Sequence, residues 1–241
     1  MAEPTLDKLT FTLSSDETFY IVKKLNTSIS GEVVIPAEYE GKPVKEIGNT
    51  AFHQCSKLTS VTIGNGVTSI GNYAFDSCSA LTSIVIPNSV NLIGNYAFQI
   101  CSALTTINIP NSVTLIKNGI FNGCSALTSI VIPNSVTSIG FEAFGACSAL
   151  TSIVIPNSVT SIGSSAFYWC TALTSVIIKG KPTVNDDFGV VFESTTNLKK
   201  IYVLEGNGYS PTDTISEKPI KILPKSVCIM RRVNVEKMTL L

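Results

Sequence analysis

The chain has 241 residues, and its 17 basic and 17 acidic side chains give a formal net charge of zero at pH 7. Charged residues make up 14% of the sequence, against roughly 25% in an average soluble protein. Between residues 58 and 178 the only ionised side chains are those of Asp76, Lys117 and Glu142. Without a basic stripe, we expect no nucleic-acid partner. We also expect no membrane insertion, because no run of about 18 apolar residues occurs.

The N-terminal segment, residues 1–30, is predicted to form a capping hairpin. Phe11, Leu13, Tyr20 and Val22 lie on either side of the turn-forming stretch SSDE, a pattern typical of two antiparallel strands. We expect this hairpin to cover the first edge of the structure that follows. We expect no export signal, because the first residues lack a basic segment followed by an apolar run.

A strict 23-residue repeat dominates the chain from residue 31 onward. In each of six units a cysteine follows a phenylalanine by three residues and precedes a leucine by three. The six are Cys55, Cys78, Cys101, Cys124, Cys147 and Cys170. A fixed period of this length predicts a solenoid of stacked units in place of a single globular core.

Each unit begins with a predicted strand. The stretch SALTSIVIPNSV occurs unchanged three times. Its alternating apolar residues end at a proline, which fits the end of a short strand, where the ladder needs no donor. In the copy at 79–90 we expect Ile84 and Ile86 to point inward. A short extended return then leads to Gly94.

The second half of each unit is predicted to be a short helix. After Gly94, the side chains at helical offsets are those of Ala97, Phe98, Cys101 and Leu104. The position after the glycine holds an asparagine or serine in five of the six units, and such a residue suits a helix N-cap. Only Phe141 breaks this rule.

The unit around Lys117 departs furthest from the pattern. Lys117 replaces the glycine of the turn, and Gly119 and Ile120 replace a larger residue and an alanine. If this turn needs a positive φ, the lysine costs about 1 kcal/mol. We therefore predict that this is the locally weakest repeat.

Beyond the sixth cysteine the repeat continues in a degraded form. Phe192, Leu198, Ile201 and Val203 keep the apolar positions, and Thr195 stands where a cysteine is expected. A charged and irregular last unit is typical of a capping repeat. Residues 204–241 leave three alternatives open: a final strand pair, a short helix or a loosely held tail.

The unit LxxIxIPxxVxxIGxxAFxxC resembles the BspA-like leucine-rich repeat of bacterial and protist surface proteins. The resemblance implies an α/β repeat solenoid, a right-handed leucine-rich-repeat superhelix with a concave parallel sheet and short convex helices. It gives three regions: a capping hairpin (1–30), the solenoid with six clear units and degenerate flanking units (31–203), and a C-terminal cap or tail (204–241). It also implies an adhesive protein at the cell surface or secreted, while the missing export signal leaves a cytoplasmic location open.

The sequence offers no catalytic constellation. His53 is the only histidine and occupies a position that varies between units. Any Ser-His-Asp or Cys-His mechanism would therefore need His53 as its base. The repeats also lack a pair of carboxylates for acid–base work. We expect no enzymatic activity, no catalytic residue and no cofactor.

The cysteines occur once per unit and not in CxxC clusters, so we expect no metal site. Seven cysteines in a chain that resembles exported proteins leave a disulfide ladder as the alternative. Helices packed side by side lie about 8–10 Å apart, whereas a disulfide needs Cα atoms within about 7 Å. We therefore predict buried thiols that behave as small hydrophobic side chains.

Outward-facing side chains of the predicted strands form two candidate binding columns on the concave face. The central column is Thr62, Val85, Asn108, Val131, Val154 and Ile177, and a hydroxyl column beside it includes Ser83, Ser129 and Ser152. An apolar stripe beside hydroxyls suits an extended partner. The alternative is that valine and isoleucine serve strand propensity alone.

A second candidate surface lies on the predicted convex side, and its aromatic members either bind a partner or cover gaps between helices. They are Tyr73, Tyr96, Phe141, Tyr168 and Trp169.

We expect a monomeric, non-enzymatic adhesion module that binds a protein or glycan partner. The alternative is an intracellular structural scaffold, which the reduced thiols and the missing export signal favour. The three identical stretches leave a third alternative, a near-consensus array without a selected partner.

Overall fold

Short strands dominate the computed structural model, which describes residues 5–23, 27–184, 188–208, 214–215 and 218–223. In chain order the described strands are β1 (Phe11–Leu13), β2 (Tyr20–Val22), β3 (Ser30–Ile35), β4 (Glu38–Tyr39), β5 (Lys42–Ile47), β6 (Lys57–Ile63), β7 (Ser69–Ile70), β8 (Ser83–Val85), β9 (Leu92–Ile93), β10 (Leu115–Ile116), β11 (Ser138–Ile139), β12 (Ser152–Ile155), β13 (Ser161–Ile162), β14 (Ser175–Ile178), β15 (Thr183–Val184), β16 (Lys200–Leu204), β17 (Thr214–Ile215) and β18 (Lys218–Leu223). A 3-10 helix at Leu6–Lys8 and one α-helix, α1 (Phe188–Val191), complete the described secondary structure.

One side of each coil carries the longer strand, and these strands stack in parallel. We call this side the long-strand face; its sheets run β3-β6-β8 and β12-β14-β16-β18. Paired residues occupy the same position in successive repeats; Val61, for example, pairs with Ile84. Ile84 is buried and Val85 exposed, because alternate side chains of a strand point to opposite sides. The predicted stack of parallel strands is confirmed.

The return segment of each coil forms a second parallel sheet, the short-strand face. Its strands are mostly two residues long, and they run β5-β7-β9 and β10-β11-β13-β15. In β7, β9, β10, β11 and β13 the first residue faces outward and the second, an isoleucine such as Ile70 or Ile162, is buried.

The third side, the turn face, corrects the prediction of convex helices. The segments beginning at 49, 72, 95, 118, 141 and 164 are successions of turns with no helix among them. Thr50 and Gln54 have φ values of 57° and 63°, and the later coils repeat this pattern. A left-handed residue at every fourth position is incompatible with an α-helix. The N–H of Phe52 instead donates to the carbonyl of Ala74 in the next coil, at 2.7 Å.

The asparagines predicted as N-caps serve a different purpose. The Asn49 Oδ1 accepts a hydrogen bond from the N–H of Asn72 at 2.8 Å, and Asn72 does the same for Asn95. These side chains therefore link successive coils. The glycine before Asn49, Asn72 and Asn95 is not needed for a positive φ. It allows neighbouring coils to approach closely, because a Cβ on Gly71 would lie 2.5 Å from the Asn49 nitrogen.

A stack of phenylalanine rings runs through the core beneath the turn face. Neighbouring ring centroids from Phe52 to Phe192 lie 4.9 to 5.8 Å apart, and the rings are nearly parallel. Coils on the turn side are thus spaced almost as closely as paired strands, at roughly 4.8 Å. The 8–10 Å spacing that we expected from helices is wrong.

Both ends of the array are covered by additional segments. At the N-terminal end β1 and β2 pair antiparallel and β2 joins β5, while the Val34 N–H on β3 donates to the Thr5 hydroxyl at 2.6 Å. At the other end β18 pairs with β16 in parallel and with β17 antiparallel. Residues 1–4, 24–26, 209–213, 216–217 and 224–241 of the predicted terminal regions lie outside the described residues.

The two sheets are both interrupted at the junction between residues 78–100 and 101–123, here called the Lys117 junction. No strand pairing joins β8 to the next coil or β9 to β10 in the described chain. Phe98 and Phe121 have the widest ring spacing of the stack, 5.8 Å. The amide of Gly94 donates to Ile70 and that of Gly140 to Ile116, but the described hydrogen bonds include none from the Lys117 amide to Ile93. A Cβ at the glycine position forces neighbouring coils apart.

Candidate interaction surface

The central column of the predicted binding face lies on the long-strand face as three paired segments. Strand pairing places Thr62 beside Val85, and Val154 beside Ile177, and an isolated bridge joins Asn108 to Val131. All six predicted side chains are exposed or half-buried. Val85 and Val131 are the most exposed apolar members, at 59% and 78%.

The hydroxyl column lies where the alternation predicts. Ser83 and Ser129 are exposed and Ser152 is half-buried. Ser152 pairs with Ser175, and Ser175 pairs with Lys200 on β16. The hydroxyl column therefore ends in a lysine that the sequence reasoning did not assign to it.

Part of the two columns lines a shallow cavity of about 480 Å³ between the coils of residues 129–134 and 152–156. Predicted site residues in its lining are Ser129, Val131, Ser152 and Val154. Sequence reasoning missed Asn111, Asn134 and Lys179, which also line it. Asn111 and Asn134 follow the proline that ends the strand segment of their coils, whereas Lys179 stands in the position of that proline.

The C-terminal end of the long-strand face is positively charged. Lys179 lines the cavity, Lys200 extends the hydroxyl column, and Lys221 extends the central column through its pairing with Tyr202. None of the three lysines forms an ion pair with another described residue. Glu205 lies in the turn after β16 and does not pair with them either.

The aromatic residues predicted on the convex side do not form one surface. Tyr73 and Tyr96 stack with ring centroids 5.0 Å apart, and the Tyr96 ring packs over Gly119 in the next coil. Tyr168 and Trp169 form a separate stacked pair at 5.4 Å. The tyrosine pair therefore fills space between coils, while Trp169 stays 54% exposed.

The single histidine has a partner that the sequence did not reveal. The His53 Nδ1 lies 2.9 Å from Oδ2 of Asp76, one coil further on, in a contact that lacks hydrogen-bond geometry. Asp76 is 7% exposed. The pair arises because both residues occupy the position after the recurring phenylalanine, so stacking brings them together.

The six repeat cysteines are buried thiols and form no disulfide. The Cys124 thiol donates to the Phe98 carbonyl at 3.1 Å, and the other thiols from Cys78 onward repeat this contact. Burial raises the pKa of Cys124 and of Cys170 to about 12. Since the thiolate is the nucleophile and the metal ligand, these thiols are poorly suited to either role.

Metal-binding clusters and membrane-spanning helices are both absent from the part of the chain that the structure describes. No group of three or more histidine, cysteine, aspartate or glutamate residues is arranged there to hold a metal ion. The helices found there are all too short to cross a bilayer.

Several known proteins are similar to this chain in sequence and architecture. Six copies of the BspA type leucine rich repeat region match residues 27–126 and 114–221, whereas no curated protein matches the chain. Among solved structures, a leucine-rich repeat protein of T. pallidum is 27% identical with a TM-score of 0.55, over 85% of this chain and 87% of that one. A leucine rich cell surface protein from Faecalibacterium prausnitzii is 28% identical with a TM-score of 0.57, over 82% of this chain and 69% of that one.

These matches agree with what the residues and the stacking show. The family pattern covers most of the chain, and both structures share its solenoid. Repeats of this kind are in general protein-interaction modules. The chain belongs to the BspA-type leucine-rich repeat family.

Proposed function

We propose that this protein is an adhesion module that binds a protein or glycan partner through the long-strand face. The observation that carries the proposal is the column of solvent-exposed valines, Val85 and Val131 above all, beside a row of serine hydroxyls. Exposed apolar side chains at regular strand spacing, next to hydrogen-bonding groups, match the alternation of an extended partner.

A location at the cell surface is part of the same proposal. It is supported by the resemblance to the F. prausnitzii protein, which is named as a leucine rich cell surface protein. It is also compatible with the nearly uncharged repeats, whose solvated side chains are mostly Ser, Thr and Asn.

The test replaces the valine column by carboxylates. A triple variant, Val85→Asp, Val131→Asp and Val154→Asp, is compared with Ser69→Asp, Ser138→Asp and Ser161→Asp on the short-strand face. Both variants add three charges at partly or fully exposed positions of a sheet face. Beads coated with each chain are applied to cultured epithelial cells and to a basement-membrane extract, and bound beads are counted.

We expect the wild-type chain and the serine variant to bind equally, and the valine variant to lose at least about 90% of binding, a free-energy change of about 1.4 kcal/mol or more. Circular dichroism checks that both variants keep the strand content of the wild type. Equal binding by the two variants would remove the long-strand face from consideration.

A second candidate, an intracellular scaffold, is favoured by the six reduced thiols, since cysteines persist as thiols in reducing compartments. Protease treatment of intact source cells separates the two. We expect the protein to be digested before lysis; resistance until lysis would support the scaffold instead.

A further inference from the structure

We infer that the cavity between residues 129–134 and 152–156 binds an acidic side chain of an extended peptide, beside an apolar side chain of the same peptide. This inference rests on the proposed function, since it assigns a partner class to the same face.

The apolar part of the site is formed by side chains that the solenoid does not bury. Val131 is 78% exposed, and Val154, Pro133 and Pro156 line the same cavity. Burying one more apolar side chain against them gains roughly 25 cal/mol for each Å² removed from water. An entirely polar ligand, such as a neutral oligosaccharide without an apolar face, leaves these side chains unused.

The main chain next to the cavity favours an extended peptide. Residues 129–132 form no regular strand, and only Val131 has a pairing partner, Asn108. No strand pairing joins this coil to β12 among the described residues. The side-chain amides of Asn111 and Asn134, which also line the cavity, offer donors and acceptors to a peptide backbone laid across this gap.

The charge of the site determines which peptide it accepts. Lys179 is the only ionisable residue of the cavity lining, and Lys200 and Lys221 continue the positive charge toward the C-terminal end of the face. No described carboxylate neutralises any of them. A carboxylate on the ligand therefore completes a charge-assisted hydrogen bond at Lys179, whereas a basic peptide is repelled.

The experiment uses two pools of randomised nine-residue peptides, attached to a surface at one end. In one pool the central residue is Asp or Glu; in the other it is Asn or Gln, which keeps the shape and removes the charge. Retention of the full-length chain is measured on each pool. The variants are Lys179→Met, which keeps most of the apolar stem, Lys179→Arg, and the control Lys117→Met outside the face.

We expect the acidic pool to retain the wild-type chain at least about tenfold better than the amide pool. Lys179→Met should reduce the ratio of retention on the two pools about tenfold. Lys179→Arg and Lys117→Met should leave this ratio unchanged. Equal retention on the two pools overturns the inference. So does an acidic preference that Lys179→Met and Lys117→Met reduce alike, because it then reflects overall charge and not this site.

Three further outcomes show which of the two proposals has failed. If immobilised hyaluronan, a polymer of acidic sugars, retains the chain through Lys179 and the acidic peptides do not, the partner is a glycan and the peptide assignment is wrong. If the valine variant loses adhesion while Lys179→Met has no effect on peptide retention, the proposed function stands and only the inference falls. If peptide retention still depends on Lys179 but neither the valine variant nor the serine variant reduces adhesion, the proposed function is wrong.

Discussion

At the residue scale, the cysteines show how a correct conclusion came from a wrong premise. We predicted buried thiols because helices were expected to hold the coils 8–10 Å apart, but the turn face spaces them at about half that distance. In the structure the repeat cysteines are buried free thiols. Each thiol from Cys78 to Cys170 donates to a phenylalanine carbonyl of the preceding coil, so it has a hydrogen-bond partner other than a neighbouring sulfur.

The buried thiols predict that the array loses stability in alkaline solution. Burial raises the folded-state pKa of Cys124 and Cys170 to about 12, above the ordinary value near 9. The unfolded chain therefore releases these protons first as the pH rises. The stabilising effect is complete below pH 9 and is lost as the pH approaches 12. Between pH 8 and pH 10 the free energy of unfolding should fall by about 1.4 kcal/mol for each thiol.

Urea denaturation at pH 8 and pH 10 measures this effect, with the double variant Cys124→Ser and Cys170→Ser as the comparison. A serine hydroxyl keeps a donor for the same carbonyl and does not titrate in this range. The drop in stability should be smaller in the variant by about 2.7 kcal/mol. An identical drop in both chains would contradict the burial of these thiols.

At the element scale, the Lys117 junction explains why one repeat differs from the rest. The prediction of a weak unit there rested on a positive φ, which the structure does not show at Lys117. The physical cause is steric, because a Cβ at the equivalent Gly94 and Gly140 would lie 2.5 and 2.6 Å from atoms of the preceding coil. Ile120, larger than the alanine it replaces, is buried at the wider junction.

Hydrogen exchange should detect the junction directly. The amides of Thr105, Thr114 and Lys117 donate no hydrogen bond to the preceding coil, whereas those of Thr128, Thr137 and Gly140 do. We expect the first three to exchange at least about tenfold faster than their counterparts one coil later. Lys117→Gly should slow them, and Gly94→Ala should accelerate exchange one coil earlier. Uniform protection along the array would contradict the weak repeat.

At the scale of the whole molecule, the terminal segments cover edges that the stacking would otherwise leave open. The 3-10 segment lies along β3 through Thr5, and the β1–β2 hairpin lies along β5. Exposed strand edges pair readily with other chains. Identical repeats can stack without limit, so the length of a solenoid depends on end segments that cap its edges.

Deleting residues 1–26 should make the protein self-associate and lower its Tm by more than about 5 °C, because the edges of β3 and β5 become available. Light scattering coupled to size exclusion gives the mass, and thermal denaturation gives Tm. Leu6→Ser, at an exposed position of the same segment, should change neither. A truncated chain that stays monomeric with an unchanged Tm would show that the segment does not protect the edges.

Strand alternation was sufficient to predict the outward-facing strand residues of the candidate site, but not its other lining residues. Val85 and Val131 point outward because their neighbours Ile84 and Ile130 are needed inside, and this follows from the spacing alone. Lys179 was not predictable, since it lies just beyond the end of β14 and meets the cavity only through the stacking of coils. Sequence spacing gives positions within a coil; contacts across several coils depend on how the coils stack.

The sequence by itself determined the solenoid, the period and the inward and outward columns, because a 23-residue repeat leaves one way to align the apolar positions of neighbouring coils. Only the tertiary structure decided the form of the third side. The AFxxC segment has helical spacing, but inter-coil bonds such as Phe52 to Ala74 use its N–H groups, and coils stacked at about 5 Å leave no room for helices. The helical spacing does not produce a helix there, because the backbone N–H groups form hydrogen bonds with carbonyls of the neighbouring coil.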